Sequence, residues 1–187
     1  MKKVFMAMAS LGLWMTGFAY AAPPKGWYAT GSAPNDYEMG VQLGDRSPGD
    51  SNAYIRAVKD SKGFGTMMQT INADAYRNRR VRLSGYLKTK DAGWAGLWMR
   101  IDGTDRSTVL DNMEDRAPRG NSDWQHYSVV LDVPSNALDI AFGFLLNGQG
   151  EALADDFKLE IVDQNVPVTA KTRPPLPKQP VNMSFSP

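Results

Sequence analysis

The sequence predicts an all-β domain, a two-sheet antiparallel β-sandwich of about ten strands arranged as a jelly roll. Three observations carry that expectation. Segment after segment alternates apolar with polar side chains, the period-two pattern of a half-buried strand. Turn-forming clusters of Gly, Pro, Asn, Asp and Ser recur every 8–12 residues or so. Between Pro23 and Val162 no stretch has the spacing of an amphipathic helix. Alternation alone does not say whether sheet edges meet, so a closed barrel stays open as an alternative.

Taken in order, Gly26–Gly31 is a short first strand and Ser32–Asp36 a turn. Tyr37–Leu43 forms a second strand, and Gly44–Ser51 a loop. Asn52–Val58 places Ala53, Ile55 and Ala57 inward and Tyr54 and Arg56 outward. Lys59–Gly63 turns into Phe64–Ile71, a strand with adjacent methionines and with Gln69 expected outward. Asn72–Asn78 reads as one helical turn or a loop. Ser107–Met113 is a weaker strand, and Glu114–Asp123 a charged loop. Trp124–Val133, Leu138–Asn147 and Glu151–Val162 complete the set, separated by Pro134–Asn136 and Gly148–Gly150.

The best strand signal lies between, in Val81–Asp102. Val81, Leu83, Gly85 and Leu87 share one face, opposite Arg82, Ser84, Tyr86 and Lys88. Ala95, Leu97, Met99 and Ile101 alternate with Trp94, Gly96, Trp98 and Arg100. The short Thr89–Gly93 link predicts an antiparallel hairpin turning at Gly93, since glycine tolerates positive φ.

The flanks read differently. Met1-Lys2-Lys3, the uncharged apolar run Val4–Phe18 and Ala19-Tyr20-Ala21 have the layout of a secretory signal cleaved after Ala21. The run is shorter than the ~20 residues a membrane span needs, and the chain has no Cys for a lipid anchor. These features predict a periplasmic or secreted protein. Residues 163–187 hold six of the 12 prolines and are expected to be an extended, disordered tail. The domain between, 22–162, is long enough to build one core without disulfides.

Charge excludes some functions. The chain carries 21 Lys and Arg against 20 Asp and Glu, and loss of Lys2 and Lys3 brings the balance to about −1. Nucleic acid and anionic membranes therefore have no electrostatic claim on it. Arg77, Arg79, Arg80 and Arg82 cluster, and read as a solvated strand end.

Tyr76–Thr89, Gly93–Asp102, Asp111-Asn112-Met113, Asp123–Tyr127, Val130–Val133 and Phe142–Gly150 together resemble a bacterial accessory domain of the galactose-binding-like jelly rolls, relatives of carbohydrate-binding modules. The resemblance spans nearly all of Trp27–Ile161. It implies the sandwich fold and leaves function open, because that fold hosts sugar, peptide and structural roles. It also implies a calcium site between the first strand and an Asp near the last. Asp155-Asp156 matches one half, with Asp156 the candidate ligand. Trp27–Gly31 has no carboxylate to supply the other, so the expectation is no cofactor.

An enzyme is disfavoured by the inventory. With no Cys and one His, there is no two-histidine metal spacing and no nucleophile elbow around His126, which reads as a surface-facing strand residue. Acidic residues are plentiful, but no pair stands out for glycoside hydrolysis. Carbohydrate binding asks for an aromatic platform flanked by hydrogen-bonding side chains. The face of Trp94, Trp98, Arg100, Tyr86 and Lys88 has that composition, with Tyr54, Arg56 and Gln69 as candidate additions and Gly96 leaving a hollow. The competing expectation buries Trp98 beneath the Glu114–Asp123 loop, with Arg100 pairing Asp111 or Asp115. Trp124 and Trp27 read as packing residues. The functional expectation is an exported, non-catalytic module for carbohydrate or a similar polar ligand; an envelope protein-interaction role and a carboxylate hydrolase are the alternatives.

Overall fold

The computed structural model describes residues 22–47, 49–170 and 179–184. The expected signal segment and residues 171–178 and 185–187 of the tail lie outside them. Ten strands are described: β1 (Tyr28–Gly31), β2 (Tyr37–Leu43), β3 (Ser51–Ala57), β4 (Phe64–Asn72), β5 (Arg80–Ala92), β6 (Trp94–Gly103), β7 (Thr108–Asp111), β8 (Gly120–Asp132), β9 (Ala137–Asn147) and β10 (Glu151–Val162). Two 3-10 turns, Pro34–Asp36 and Asp74–Tyr76, fall where a turn and either one helical turn or a loop are expected. All pairings are antiparallel. They build a front sheet in the order β1-β4-β9-β6-β7 and a back sheet in the order β2-β3-β10-β5-β8.

The alternating inward faces meet between the sheets. Tyr37, Met39, Ile55, Leu83 and Leu87 of the back sheet pack against Met67, Leu97, Met99, Ile140 and Phe144 of the front sheet. Trp27 closes one end of this core, edge-on to Phe142 and Phe157 at centroid distances of 6.2 and 5.7 Å. A bulge between Asp155 and Lys158 in β10 puts Phe157 over Gly85, where a Cβ would stand 2.3 Å from the ring. Bulges of this kind re-aim a side chain without ending the strand.

The Val81–Asp102 segment departs from its expected hairpin. β5 pairs with β10 and β8, and β6 with β9 and β7, so the two strands lie in different sheets. Gly93 carries the chain from one sheet to the other. A Cβ there would approach the Asn147 carbonyl oxygen to 2.4 Å, so the crossing needs glycine. The physical reason is shared: both strands have one apolar face, and an arch lets those faces meet across the core instead of lying side by side.

The first part of the tail segment is held by the domain. Arg80 donates to the carbonyls of Gln164 and Val166. The Thr169 N–H donates to the Val130 carbonyl at 2.9 Å, and Ala170 packs against the core.

Candidate functional site

The outer face of the front sheet is built from the alternate residues of its strands. β6 contributes Trp94, Trp98 and Arg100, and β4 contributes Phe64, Thr66 and Met68. β9 contributes Ala141, Gly143 and Leu145, whose small or flexible side chains leave space beside the indoles. Trp98 sits among Met68, Ala141 and Leu145, flanked by Phe64 and Trp94, and is 8% exposed. Its indole N–H donates to the Thr66 hydroxyl oxygen at 2.8 Å, and that hydroxyl donates to the Phe144 carbonyl at 2.7 Å. The polar end of the ring is therefore satisfied within the sheet, as a buried Trp requires.

Trp98 forms the floor of an open cleft of about 680 Å³, within the range of ligand sites. Tyr28 and Thr30 of β1 line one side, and Leu110, Asn112 and Glu114 the other, with Trp94, Arg100 and Asn147 also lining it. Trp94 is half-buried, and the Arg100 side chain is 46% exposed. The cleft thus offers an aromatic floor with a cation, a carboxylate and two amides around it. An aromatic surface ringed by hydrogen-bonding groups suits a ligand with one apolar face and a polar rim.

The Glu114–Asp123 loop does not cover Trp98. Its first part stands as the cleft's wall, fixed by Met113 buried in the core and by a two-point ion pair of Asp111 with Arg116, at 3.1 and 2.7 Å. Ala95 donates to the Pro118 carbonyl, tying the far end of the loop to β6. The hollow expected at Gly96 is filled by this wall, since a Cβ there would stand 2.9 Å from the Asn112 carbonyl oxygen. Arg100 pairs with Asp102 at 2.9 Å rather than with Asp111, whose carboxylate is taken by Arg116.

The other expected ligand residues lie elsewhere. Tyr86, Lys88, Tyr54 and Arg56 belong to the outer face of the back sheet, on the opposite side of the molecule, and Tyr54 is fully buried there. Gln69 pairs in register with Phe142 and shares the inward parity of Met67 and Ile71, half-buried at the end of the core. It joins neither face, because the outward residues of β4 are Phe64, Thr66 and Met68.

The back face is internally paired. Arg56 binds Glu151 and lies 5.0 Å over the Tyr54 ring. Tyr54 donates to Glu38 at 2.6 Å, and burial together with that carboxylate pushes its phenol up to about 12. Lys88 bonds Asp45 at 2.7 Å, which raises the ammonium pKa and holds the Asp45 carboxyl below its usual range. The Trp124 indole N–H donates to the same Asp45 at 2.9 Å. His126 is exposed on this strand face, edge-on to Tyr86 at 5.1 Å.

Asp155 and Asp156 already have a cation. Arg46 lies 2.6 Å from Asp155 and 3.6 Å from Asp156, and its guanidinium is stacked 4.4 Å over Tyr86. Among the described residues no group of three or more acidic or His side chains is placed to hold a metal, and no helix is long and apolar enough to cross a membrane.

Sequence reasoning missed the residues that complete the cleft: Tyr28, Thr30, Phe64, Thr66, Met68, Leu110, Asn112, Glu114, Leu145 and Asn147. Alternation within β4 and β9 indicates which of these point outward. Only strand order brings them beside Trp94 and Trp98.

No family model matches the chain. A Bacillus subtilis protein named as the uncharacterized HTH-type transcriptional regulator YbfP is 42% identical over 166 residues, which span 86% of this chain and 56% of that protein. The chain therefore corresponds to about half the length of this relative. Among solved structures, the CBM22-1 xylan-binding domain of Paenibacillus barcinonensis Xyn10C superposes with a TM-score of 0.57 at 14% identity, covering 75% of this chain and 88% of that one. The Clostridium thermocellum Xyn10B CBM22-1–GH10 modules, complexed with xylohexaose, give 0.57 at 11% identity, over 78% of this chain and 28% of that one. TmCBM61, in complex with β-1,4-galactotriose, gives 0.50 at 11% identity, over 74% and 90%. At these identities the likeness is one of fold: the sandwich is that of jelly-roll carbohydrate-binding modules.

Proposed function

We propose that this protein is a non-catalytic binding module that holds a carbohydrate in the cleft above Trp98, stacked on Trp94 and hydrogen-bonded by Arg100, Glu114, Asn112 and Asn147. The observation that carries the reading is the open cleft itself: two tryptophans, one satisfied and fixed as a floor, the other half-exposed, between walls that carry polar side chains. The fold neighbours that bind xylan, xylohexaose or galactotriose add support for a glycan as the ligand class. The absence of a preorganised acid pair or nucleophile in the sequence motifs supports binding without catalysis.

The relative named as a transcriptional regulator does not by itself make this chain a DNA-binding one, since the match spans 56% of that protein. A helix-turn-helix needs two α-helices, and the described residues hold only 3-10 turns. The matched part of this chain is thus read as a ligand-binding rather than a DNA-binding unit. The leader-like Met1–Ala21 supports export to the periplasm or medium, where glycans are at hand. Arg46 takes the place beside Asp155 and Asp156 that a structural cation would need, so the module is proposed to fold without calcium.

Tryptophan fluorescence titration with xylo-, galacto- and cell-wall oligosaccharides tests the function. A saturable change lost in Trp94→Ala, with its fold intact, is the expected result. No binding at millimolar concentration by any of these probes sinks the reading.

A further inference from the structure

The outer edge of β8 is the end of the back sheet, and it is guarded by the chain's own residues 163–170. Val130 shows how. Its N–H donates to the Thr169 hydroxyl oxygen at 2.7 Å, while its carbonyl accepts the Thr169 N–H at 2.9 Å. Both backbone groups of Val130 therefore point away from β5. By the same alternation those of Ser128 and His126 point outward too. Among the described residues, the Ser128 carbonyl meets only Arg116, at 3.4 Å, and nothing described extends the pairing to His126.

The guard is a strap rather than a strand. It makes one residue's worth of strand-like pairing, at Thr169, and is moored at its start by Arg80, which donates to the carbonyls of Gln164 and Val166 at 2.5 and 2.7 Å. An unguarded edge of a 13-residue strand is a template for another strand. A strap that satisfies one position gives up several bonds that a full partner strand would make.

We propose that the β8 edge is a docking surface for a second copy of this chain, kept closed in the monomer by the 163–170 strap. The occupant follows from the edge's own composition. Two β8 strands meeting antiparallel about a two-fold axis through Ser128 set His126 opposite Val130 and Trp124 opposite Asp132, so the stretch 126–130 pairs without a carboxylate, Lys or Arg and no carboxylate faces another. Self-pairing of one patch is what a two-fold dimer requires, and like charges face each other nowhere in this stretch. The two back sheets would then run on as one.

Thr169→Pro in the full-length protein tests this, because proline removes both the N–H and the hydroxyl that hold Val130. Two readouts are taken: hydrogen exchange at the Val130 amide, and mass by sedimentation equilibrium. The expected result is Val130 exchange at least ~10-fold faster at a protein concentration low enough to keep the variant monomeric, its renewed protection as concentration rises, and a concentration-dependent dimer that the unaltered protein does not form. Adding Val130→Pro, which deletes an N–H that β5 does not use, returns the protein to monomer. Arg80→Gln, which unmoors Gln164 and Val166, produces the same pair of shifts by a different route. A Val130 amide that stays protected in both variants at that dilution overturns the strap. A released Val130 with a monomer throughout, or a dimer indifferent to Val130→Pro, overturns the docking edge.

Discussion

Replacing Trp98 and Trp94 separately by alanine should divide folding from binding, although the two residues are four positions apart on one strand. Trp98 is 8% exposed, packed by Met68, Ala141 and Leu145. Truncating a buried Trp typically costs about 3–5 kcal/mol, through lost transfer energy plus the cavity left behind. The Thr66 hydroxyl keeps its bond to the Phe144 carbonyl, so it is not orphaned and adds only about 1 kcal/mol. For a chain of this size the sum corresponds to a fall in melting temperature of roughly 10–20 °C. Trp94 is half-buried at the cleft's side, and its loss should cost about 1–2 kcal/mol of stability while weakening oligosaccharide binding at least ~10-fold, or about 1.4 kcal/mol. Urea unfolding measures the first quantity and fluorescence or calorimetric titration the second. The reasoning fails if Trp98→Ala costs under about 1 kcal/mol, because the residue would then not be the floor. It also fails if Trp94→Ala binds ligand within about two-fold of the unaltered protein.

Four further outcomes follow from the same geometry. Gly143→Ala should destabilise by about 3 kcal/mol, as its Cβ would stand 2.0 Å from the Met67 carbonyl oxygen; chemical denaturation checks it. Tyr54 has a phenol raised to about 12, so its neutral form is favoured by the fold: that contribution is intact below the ordinary tyrosine value near 10 and is lost as pH rises from there to about 12. Alkaline unfolding of Tyr54→Phe should lose this component. Asp45 is depressed by Lys88, so its contribution is present above the ordinary value near 4 and fades as pH falls below it; Asp45→Asn should flatten the acid limb of a stability–pH curve. Arg46→Ala should leave Asp155 without its cation, with only Lys158 near Asp156 at 3.9 Å, and make melting temperature respond to added calcium, whereas the unaltered protein should melt alike with calcium or chelator.

Some of this was legible in the residues. The inward set on β6, Ala95, Leu97, Met99 and Ile101, is buried as alternation requires, and its outward set lines the cleft. Ten strands, the two short turns at Pro34–Asp36 and Asp74–Tyr76, and the packing role of Trp27 were also readable, because each depends on neighbours within a few residues. Gln69 was misread: the paired methionines before it hide which of them faces the core, and only pairing of Met67 with Phe144 resolves the parity. Arg100 was paired with the wrong carboxylate because the competition of Arg116 for Asp111 is spatial.

What the sequence alone determined is therefore the face on which each side chain lies. Period-two alternation is a property of one extended strand, and Trp94, Trp98 and Arg100 share a face in any fold that keeps β6 straight. What the tertiary structure decided is which strands are neighbours. A link as short as Gly93 closes a hairpin or an arch equally well by local geometry. The choice falls to the arch because it brings the apolar faces of β5 and β6 together across the core. That choice sends Tyr86 and Lys88 to the far side of the molecule, and leaves Trp98 bonded to Thr66 at the floor of an open cleft walled by Tyr28 and Glu114.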